Sequence, residues 1–165
     1  MTTGLSLTDQ YLPTFDVSDS VAAIVDADVA TTWRYLMEAD LMAVGRRRPL
    51  VGTLNLVRAL PEVLSRVLRG EVPAKPPARL LFRDLARLPR ESGGWILLGE
   101  RDGDEIAFGL VGRFWRPVIP FAAVSRDEFR DFSVPGFAKT VYALRVQPLS
   151  GGRTLLTATM RTATT

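Results

Sequence analysis

The stretch "GWILLGERDGDEIAFGLVGRFW", residues 94–115, limits the fold of this chain more than any other part of the sequence. Two apolar runs flank the turn sequence "RDGD", in which Gly103 can supply the positive φ of a hairpin turn. Both alternating sets of the second run are largely apolar: Ile106, Phe108, Leu110 and Phe114 on one side, and Ala107, Gly109, Val111, Arg113 and Trp115 on the other. The pattern predicts an antiparallel hairpin whose second strand is central in a curved sheet, with something covering each side.

A second hairpin follows near the end of the chain. "KTVYALRVQPLSGGRTLLTATMRT" predicts strands over residues 140–147 and 154–162, joined by a turn that contains Gly151 and Gly152. Upstream of these strands, "SRDE" predicts a capping box between Ser125 and Glu128 that opens a short helix. The second half of the chain is therefore predicted to be mainly antiparallel sheet.

The first half of the chain predicts one strand and several helices. Apolar residues at Val17, Val21, Ala23 and Val25 repeat every second residue, which indicates a half-buried strand. Asp26 or Asp28 can then cap a helix, because a short carboxylate accepts hydrogen bonds from the free amides of the first turn. The apolar side of that helix consists of Val29, Trp33, Leu36 and Met37.

The remaining segments lack such clear signals or allow two interpretations. Residues 1–14 show no periodicity and predict a flexible tail. Residues 54–68 predict two helices separated at Pro61, either core-facing or forming a lid over a pocket. The Pro-rich stretch 71–79 predicts an extended connection, and residues 80–85 predict a short strand.

Composition removes several classes of function. The 165 residues, 47% hydrophobic and 24% charged, fit one globular domain. The chain has no Cys and no His, which excludes disulfides, thiolate metal sites, Ser-His-Asp triads and most zinc chemistry. We therefore predict no metal and no cofactor, and leave open whether the protein is an enzyme. The N-terminus lacks a secretory signal and no apolar run could span a membrane, so a cytoplasmic location is expected.

The positive charge is dispersed rather than concentrated. The net charge of +3 comes from 21 Lys and Arg residues against 18 Asp and Glu residues, and the one tight cluster is "GRRRP" around Arg46–Arg48. A solvated loop explains that cluster, and an anionic partner is the alternative. Nucleic-acid binders usually gather their charge on one face, so no nucleic-acid partner is predicted.

The order of these elements, a strand, several helices and then antiparallel hairpins, resembles the helix-grip fold of the START-like (SRPBCC) superfamily. The resemblance covers roughly residues 15–162, to uncharacterised members from GC-rich bacteria. It lies in "WILLGE", "GLVGRFWRP" and "FRDFSVPGFAKTVYALRVQPLSGGRTLLTATMR". It implies an α+β fold in which a strongly bent antiparallel sheet grips a long C-terminal helix over an apolar cavity. Relatives bind lipids, sterols or hormones, cyclise or aromatise polyketides, or act as ligand-carrying co-chaperones.

The sequence departs from that pattern at its end. It stops at "TMRTATT", inside or just after the last predicted strand, and leaves no residues for the gripping helix. We therefore expect a single START-like domain over residues 15–165, in which either the chain is truncated at its C-terminus or another element covers the concave face. The concave side would be filled in part by the helices of residues 54–68, or covered by a second chain in a homodimer.

The candidate site consists of aromatic and apolar side chains with arginine at the rim. Arg113 and Arg116 bracket "FW" at the end of the apolar strand, where Arg113 could hold a carboxylate, phosphate or enolate bidentately. The alternative is a surface cation that stacks on an aromatic ring. The predicted ligand-binding residues are Trp33, Trp95, Phe108, Leu110, Arg113, Trp115, Phe137 and Tyr142, although most would serve equally as ordinary core.

Three functions fit these residues. Binding of a hydrophobic or amphipathic small molecule under the sheet, without catalysis, needs only the apolar wall. A polyketide cyclase or aromatase-like enzyme would add an ionisable or hydroxyl side chain inside the cavity. A protein-interaction module would use the concave apolar face for another chain. The carboxylates at the hairpin tip, Glu100, Asp102, Asp104 and Glu105, are expected to be solvated.

Overall fold

The computed structural model describes residues 4–43, 79–87, 94–116 and 119–165. Three short α-helices, one 3-10 helix and five strands occupy these ranges. In chain order they are α1 (Leu7–Tyr11), β1 (Val17–Val25), α2 (Val29–Met37), the 3-10 helix (Phe82–Arg87), β2 (Ile96–Arg101), β3 (Glu105–Gly112), α3 (Arg126–Phe129), β4 (Ala138–Leu149) and β5 (Arg153–Thr164).

The five strands form one antiparallel sheet in the order β1-β5-β4-β3-β2. The prediction of an α+β fold with an antiparallel sheet is therefore confirmed. Both predicted hairpins are present, and the turn glycines Gly103, Gly151 and Gly152 have φ values of 68°, 76° and 70°. These values lie in the left-handed region, where a side chain is disfavoured and glycine is not.

The sheet has two differently covered faces. On the first, here called the N-terminal face, α1 and α3 pack against a buried cluster that includes Ala107, Val111 and Val141. On the second, the aromatic face, α2 and the 3-10 helix pack against Ile106, Phe108 and Leu144. Because successive residues of a strand point to opposite faces, β3 contributes alternately to the two clusters. Its predicted position in the interior of the sheet is confirmed.

Helix α2 begins and packs as its sequence predicts. Asp28 is the N-cap, and its carboxylate accepts a hydrogen bond of 2.7 Å from the Thr31 amide. Trp33 is buried against the aromatic face, and Val29, Leu36 and Met37 pack around the same cluster. A second link fixes the helix start, since the Thr154 hydroxyl donates to the Ala27 carbonyl at 2.7 Å.

Strand β1 forms where it is predicted, but it is not half-buried. Eight of its nine residues are exposed, and the apolar side chains of Val17, Val21 and Ile24 remain 58%, 64% and 62% accessible. The reason is its place at the edge of the sheet, beyond the area that the helices of the described residues cover. Alternation in a sequence indicates two faces, and it does not show whether either one is buried.

The expected flexible tail is instead partly a packed helix. Ser6 caps α1 by accepting from the Asp9 amide, and Leu7, Tyr11 and Leu12 are buried on the N-terminal face. Arg161 holds the same segment by donating to the Asp9 carboxylate at 2.7 Å. The helix is too short to show apolar periodicity, so its stability comes from tertiary contacts.

A 3-10 helix takes the place of most of the short strand predicted over residues 80–85. Leu81 makes an isolated bridge to Asp40, and the chain then turns into the 3-10 helix. Phe82 and Leu85 are three residues apart, and both are buried against the aromatic face. That spacing matches the three residues per turn of a 3-10 helix. The predicted helices over residues 54–68, the Arg46–Arg48 loop and most of the Pro-rich connection lie outside the described residues.

Gly109 on β3 allows the close approach of α3 to the sheet. A Cβ built at Gly109 would lie 2.7 Å from the ring of the buried Phe129 and 3.1 Å from the side chain of Leu98. We expect Gly109→Ala to lower the free energy of unfolding by about 1–3 kcal/mol, as overpacking usually does. Combining it with Phe129→Leu should recover part of that loss relative to the sum of the single variants. Urea denaturation of the four proteins measures the coupling, and strict additivity would contradict this contact.

Candidate functional site

The centre of the aromatic face is a cluster of edge-to-face rings. Phe108 on β3 is fully buried, and its ring centroid lies 5.4 Å from that of Phe82 and 6.0 Å from that of Trp95. Both ring pairs are nearly perpendicular, at 86° and 87°, the favourable edge-to-face geometry. Trp33 closes the cluster from α2. The structure thus brings together three of the predicted site residues, Trp33, Trp95 and Phe108.

From this cluster the apolar surface continues across the sheet beyond the helices. Tyr142 lies beside Phe108 on β4, and Met160 lies beside Tyr142 on β5. In the next row across the sheet, Ala158 on β5 lies between Leu144 on β4 and Val21 on β1. Exposure rises along these rows, since Tyr142 is half-buried whereas Met160 and Val21 are 37% and 64% accessible.

We call this partly uncovered area the open strip. It consists of Trp95, Leu110, Tyr142, Met160, Val17 and Val21. Contiguous exposed apolar surface of this kind marks binding sites more often than it occurs elsewhere on a soluble domain.

The chemistry of the open strip is almost wholly hydrocarbon. On the aromatic face, the described strands β3, β4 and β5 carry no charged side chain, whereas Glu100 on β2 and Asp19 on β1, the latter directly opposite Met160, place a charge on each edge strand. The hydroxyls of Thr140 and Thr162 bond to each other at 3.0 Å. Among the described residues, the Tyr142 hydroxyl has no hydrogen-bond partner, which leaves it free to meet a bound molecule.

The remaining predicted site residues do not join this strip. Arg113 and Phe137 lie on the N-terminal side, where the Arg113 guanidinium stacks over the Phe137 ring at 4.6 Å from its centroid. Trp115 is 59% accessible in the turn that follows β3. The alternation along β3 separates Arg113 from Phe108 and Leu110, so the structure does not place it as the anchor of a ligand on the aromatic face.

Glu105 is the principal residue that the sequence analysis placed wrongly. It was expected to be solvated with the other hairpin carboxylates, but it is 2% accessible at the start of β3. Both of its carboxylate oxygens accept from the Leu7 amide at 3.0 Å, and Oε2 accepts from Arg101 at 3.2 Å. Burial raises the pKa of the Glu105 carboxyl above its ordinary value, although the Leu7 amide and Arg101 oppose the shift.

A signal for that burial was present in the sequence. Glu105 lies an even number of residues from Ala107, Gly109 and Val111, so its side chain points to the same covered N-terminal face of β3. Its contacts hold α1 against the sheet, and Arg101 contributes a further bond of 2.8 Å to the Leu5 carbonyl. Glu105 therefore has a structural explanation that requires no ligand.

Two open cavities lie away from the aromatic rings. The larger, about 590 Å³, is formed by residues of α3 and the loop after it, among them Asp127, Asp131 and Val134. The smaller, about 270 Å³, includes Phe15, Asp16 and Lys139. Burial lowers the pKa of the Lys139 amine, which donates to the Arg130 carbonyl at 2.8 Å. Neither cavity is lined by a residue of the predicted site.

Comparison with known proteins does not narrow the function. No protein-family model, no curated protein and no solved structure matches the chain. Within the described ranges, no helix has the length and apolar character needed to cross a membrane.

Proposed function

We propose that this protein binds an apolar or amphipathic small molecule on the open strip of the aromatic face, without catalysing a reaction. One observation carries the proposal: the apolar surface extends from the buried ring cluster across β4 and β5 to the exposed Met160 and Val21, and no charged side chain interrupts it before Asp19 on the edge strand. Removing such surface from water contributes about 25 cal/mol per Å².

The open strip offers such a ligand an apolar contact surface and a polar group that can orient it. Trp95 is already fixed by its edge-to-face contact with Phe108, so binding costs it little side-chain entropy. Tyr142 adds an aromatic ring and a hydroxyl that can donate to a carboxylate, carbonyl or hydroxyl of the ligand. We infer that the apolar part of the ligand covers Leu110 and Met160, and that its polar end lies near Tyr142.

The proposal excludes catalysis because general acid-base chemistry needs positioned titratable groups. Within the described part of the chain, Tyr142 is the one titratable side chain on the aromatic face of β3, β4 and β5. The other ionisable groups that the strands carry on this face, Asp19 opposite Met160 and Glu100 on β2, are exposed on the edge strands, whereas a cyclase-like enzyme would need such a group enclosed with the ligand. A carrier needs none.

The fold supports this function by analogy. We propose that the domain has a START-like helix-grip fold, because the first strand lies next to the last one and a helix follows the first strand directly. The analogy is one of fold alone, and folds of this kind host several activities.

A cytoplasmic location remains a prediction from the sequence.

Two matched leucine variants test the proposal. Leu110 is half-buried on the aromatic face, whereas Leu155 is half-buried on the opposite face of β5. Titration with a dansylated fatty acid should give saturable binding to the wild type. Leu110→Arg should weaken it by about tenfold or more, because a charge replaces apolar contact area.

The Leu155→Arg variant should bind the probe as the wild type does. Circular dichroism and thermal melts of both variants establish that each one folds. Equal affinities for Leu110→Arg, Leu155→Arg and the wild type would contradict binding on the aromatic face, as would the absence of saturable binding to any of them.

A further inference from the structure

Among the described residues, nothing pairs with the outer edge of β1. In the described part of the chain β1 pairs with β5 along one side, and no segment pairs with its other side. The pairing with β5 is regular over all nine residues, from Val17 opposite Thr162 to Val25 opposite Thr154. A regular edge of this length presents a row of unpaired amides and carbonyls to solvent.

The devices that normally protect an edge strand are missing from β1. Its sequence "VSDSVAAIV" contains no Pro and no Lys or Arg, and its register shows no bulge. The one charged residue is Asp19. Val17, Val21 and Ile24 are exposed on its two faces at 58%, 64% and 62%. An unprotected apolar edge is suited to pairing with another strand.

From these features we propose that β1 pairs antiparallel with β1 of a second copy of this chain, across a two-fold axis at Val21. Such an axis, perpendicular to the sheet, joins two five-stranded sheets into one continuous sheet. It keeps the aromatic faces of both copies on the same side. The inference concerns assembly and does not depend on ligand binding.

The sequence of β1 is self-complementary about Val21. Val17, Val21 and Val25 are spaced by four residues, so all three lie on the aromatic face. With the axis at Val21, Val17 lies opposite Val25 of the second copy, and Val21 lies opposite its own counterpart. Asp19 then faces Ala23 of the second copy. Apolar cross-strand pairs of this kind stabilise a sheet, and no like charges oppose each other.

Other registers are less favourable. Opposite residues must lie on the same face, so the axis can pass only through one residue and its own counterpart. An axis at Val21 pairs all nine residues, whereas any other axis shortens the ladder. An axis at Asp19 would also place two carboxylates directly opposite each other, which is destabilising.

Single cysteines provide a test, because the chain has none of its own. In the proposed dimer, Val21 and its counterpart have Cα atoms about 4.5–5.5 Å apart, within the range of a disulfide. Ile24 is equally exposed but lies opposite Ser18 of the second copy. Its own counterpart is then about 20 Å away along the ladder. Val21→Cys should therefore form a disulfide-linked dimer under mild oxidation, and Ile24→Cys should remain largely without an intermolecular disulfide.

Non-reducing gel electrophoresis measures the linkage, and circular dichroism establishes that both variants fold. Equal cross-linking of the two variants, or none in Val21→Cys, would overturn the proposed register. Sedimentation of the unmodified protein tests the assembly itself. We expect a reversible dimer at tens of micromolar, and a strict monomer at that concentration would overturn the proposal whatever the cysteine variants show.

Discussion

Replacing Phe108 by alanine is expected to lower the free energy of unfolding by about 3–5 kcal/mol, the usual cost of removing a buried aromatic ring. Phe108 is fully buried on β3, an interior strand of the sheet, and it makes edge-to-face contacts with both Phe82 and Trp95. Its loss would leave a cavity between the sheet and the 3-10 helix, and the flanking strands are too constrained to fill it.

A second aromatic residue provides the control. Trp115 is 59% accessible in the turn after β3 and is absent from both core clusters, so Trp115→Ala should change the free energy of unfolding by about 0.5 kcal/mol or less. Urea denaturation measures both variants. A loss for Phe108→Ala no larger than that for Trp115→Ala would contradict the assignment of Phe108 to the core of the aromatic face.

The second large effect is expected at Glu105. Glu105→Ala removes the acceptor of the buried Leu7 amide and the partner of Arg101, and should lower the free energy of unfolding by about 2–3 kcal/mol. Helix α1 should also become accessible to proteolysis, because Glu105 and Arg101 hold residues 5–7 to the sheet. Glu100→Ala, an exposed carboxylate on the same hairpin, is the matched control and should have little effect.

The pH dependence of the free energy of unfolding, compared between the wild type and Glu105→Gln, isolates the cost of ionising the Glu105 carboxyl. Burial raises the folded-state pKa of Glu105 above its ordinary value of 4.5, so the folded protein keeps a proton that the unfolded chain has lost. The stability contributed by Glu105 is complete below that ordinary value and is lost as the pH rises through the folded pKa. The difference in unfolding free energy between the two proteins should therefore shift in favour of Glu105→Gln as the pH rises.

Urea denaturation from about pH 4 to 7 measures this difference. Hydrogen bonds lower the pKa values of Asp9, Asp16 and Asp28. Those groups titrate alike in both proteins, so their contributions cancel. If the wild type instead gains stability relative to Glu105→Gln as the pH rises, then the effect of Arg101 on the pKa of Glu105 is larger than the effect of burial.

The elements that the sequence predicts well are those with local signals. The hairpin around Gly103, the N-cap of α2 at Asp28 and the capping box at Ser125 each depend on residues within a few positions of one another. Their geometry is decided by backbone sterics and by short hydrogen bonds, which a sequence displays directly.

The features that the sequence analysis missed depend on long-range packing. Helix α1 is stable because Leu7 and Tyr11 bury against strands about a hundred residues later in the chain. The exposure of β1 follows from its position at the sheet edge, which alternation alone cannot show. The division of the predicted site, by contrast, follows from local alternation that the sequence displays: odd and even residues of β3 reach opposite faces, so one site on a single face cannot contain both Arg113 and Phe108.

Indole NMR signals test the central claim, binding on the open strip, most directly. The chain has three tryptophans, and Trp95 belongs to the open strip, whereas Trp115 lies in an exposed turn. Titration of ¹⁵N-labelled protein with dodecanoate should shift the Trp95 indole signal saturably, with the signal assigned by Trp95→Phe. A Trp95 signal that stays unchanged, whether Trp115 shifts or not, would contradict binding on the aromatic face.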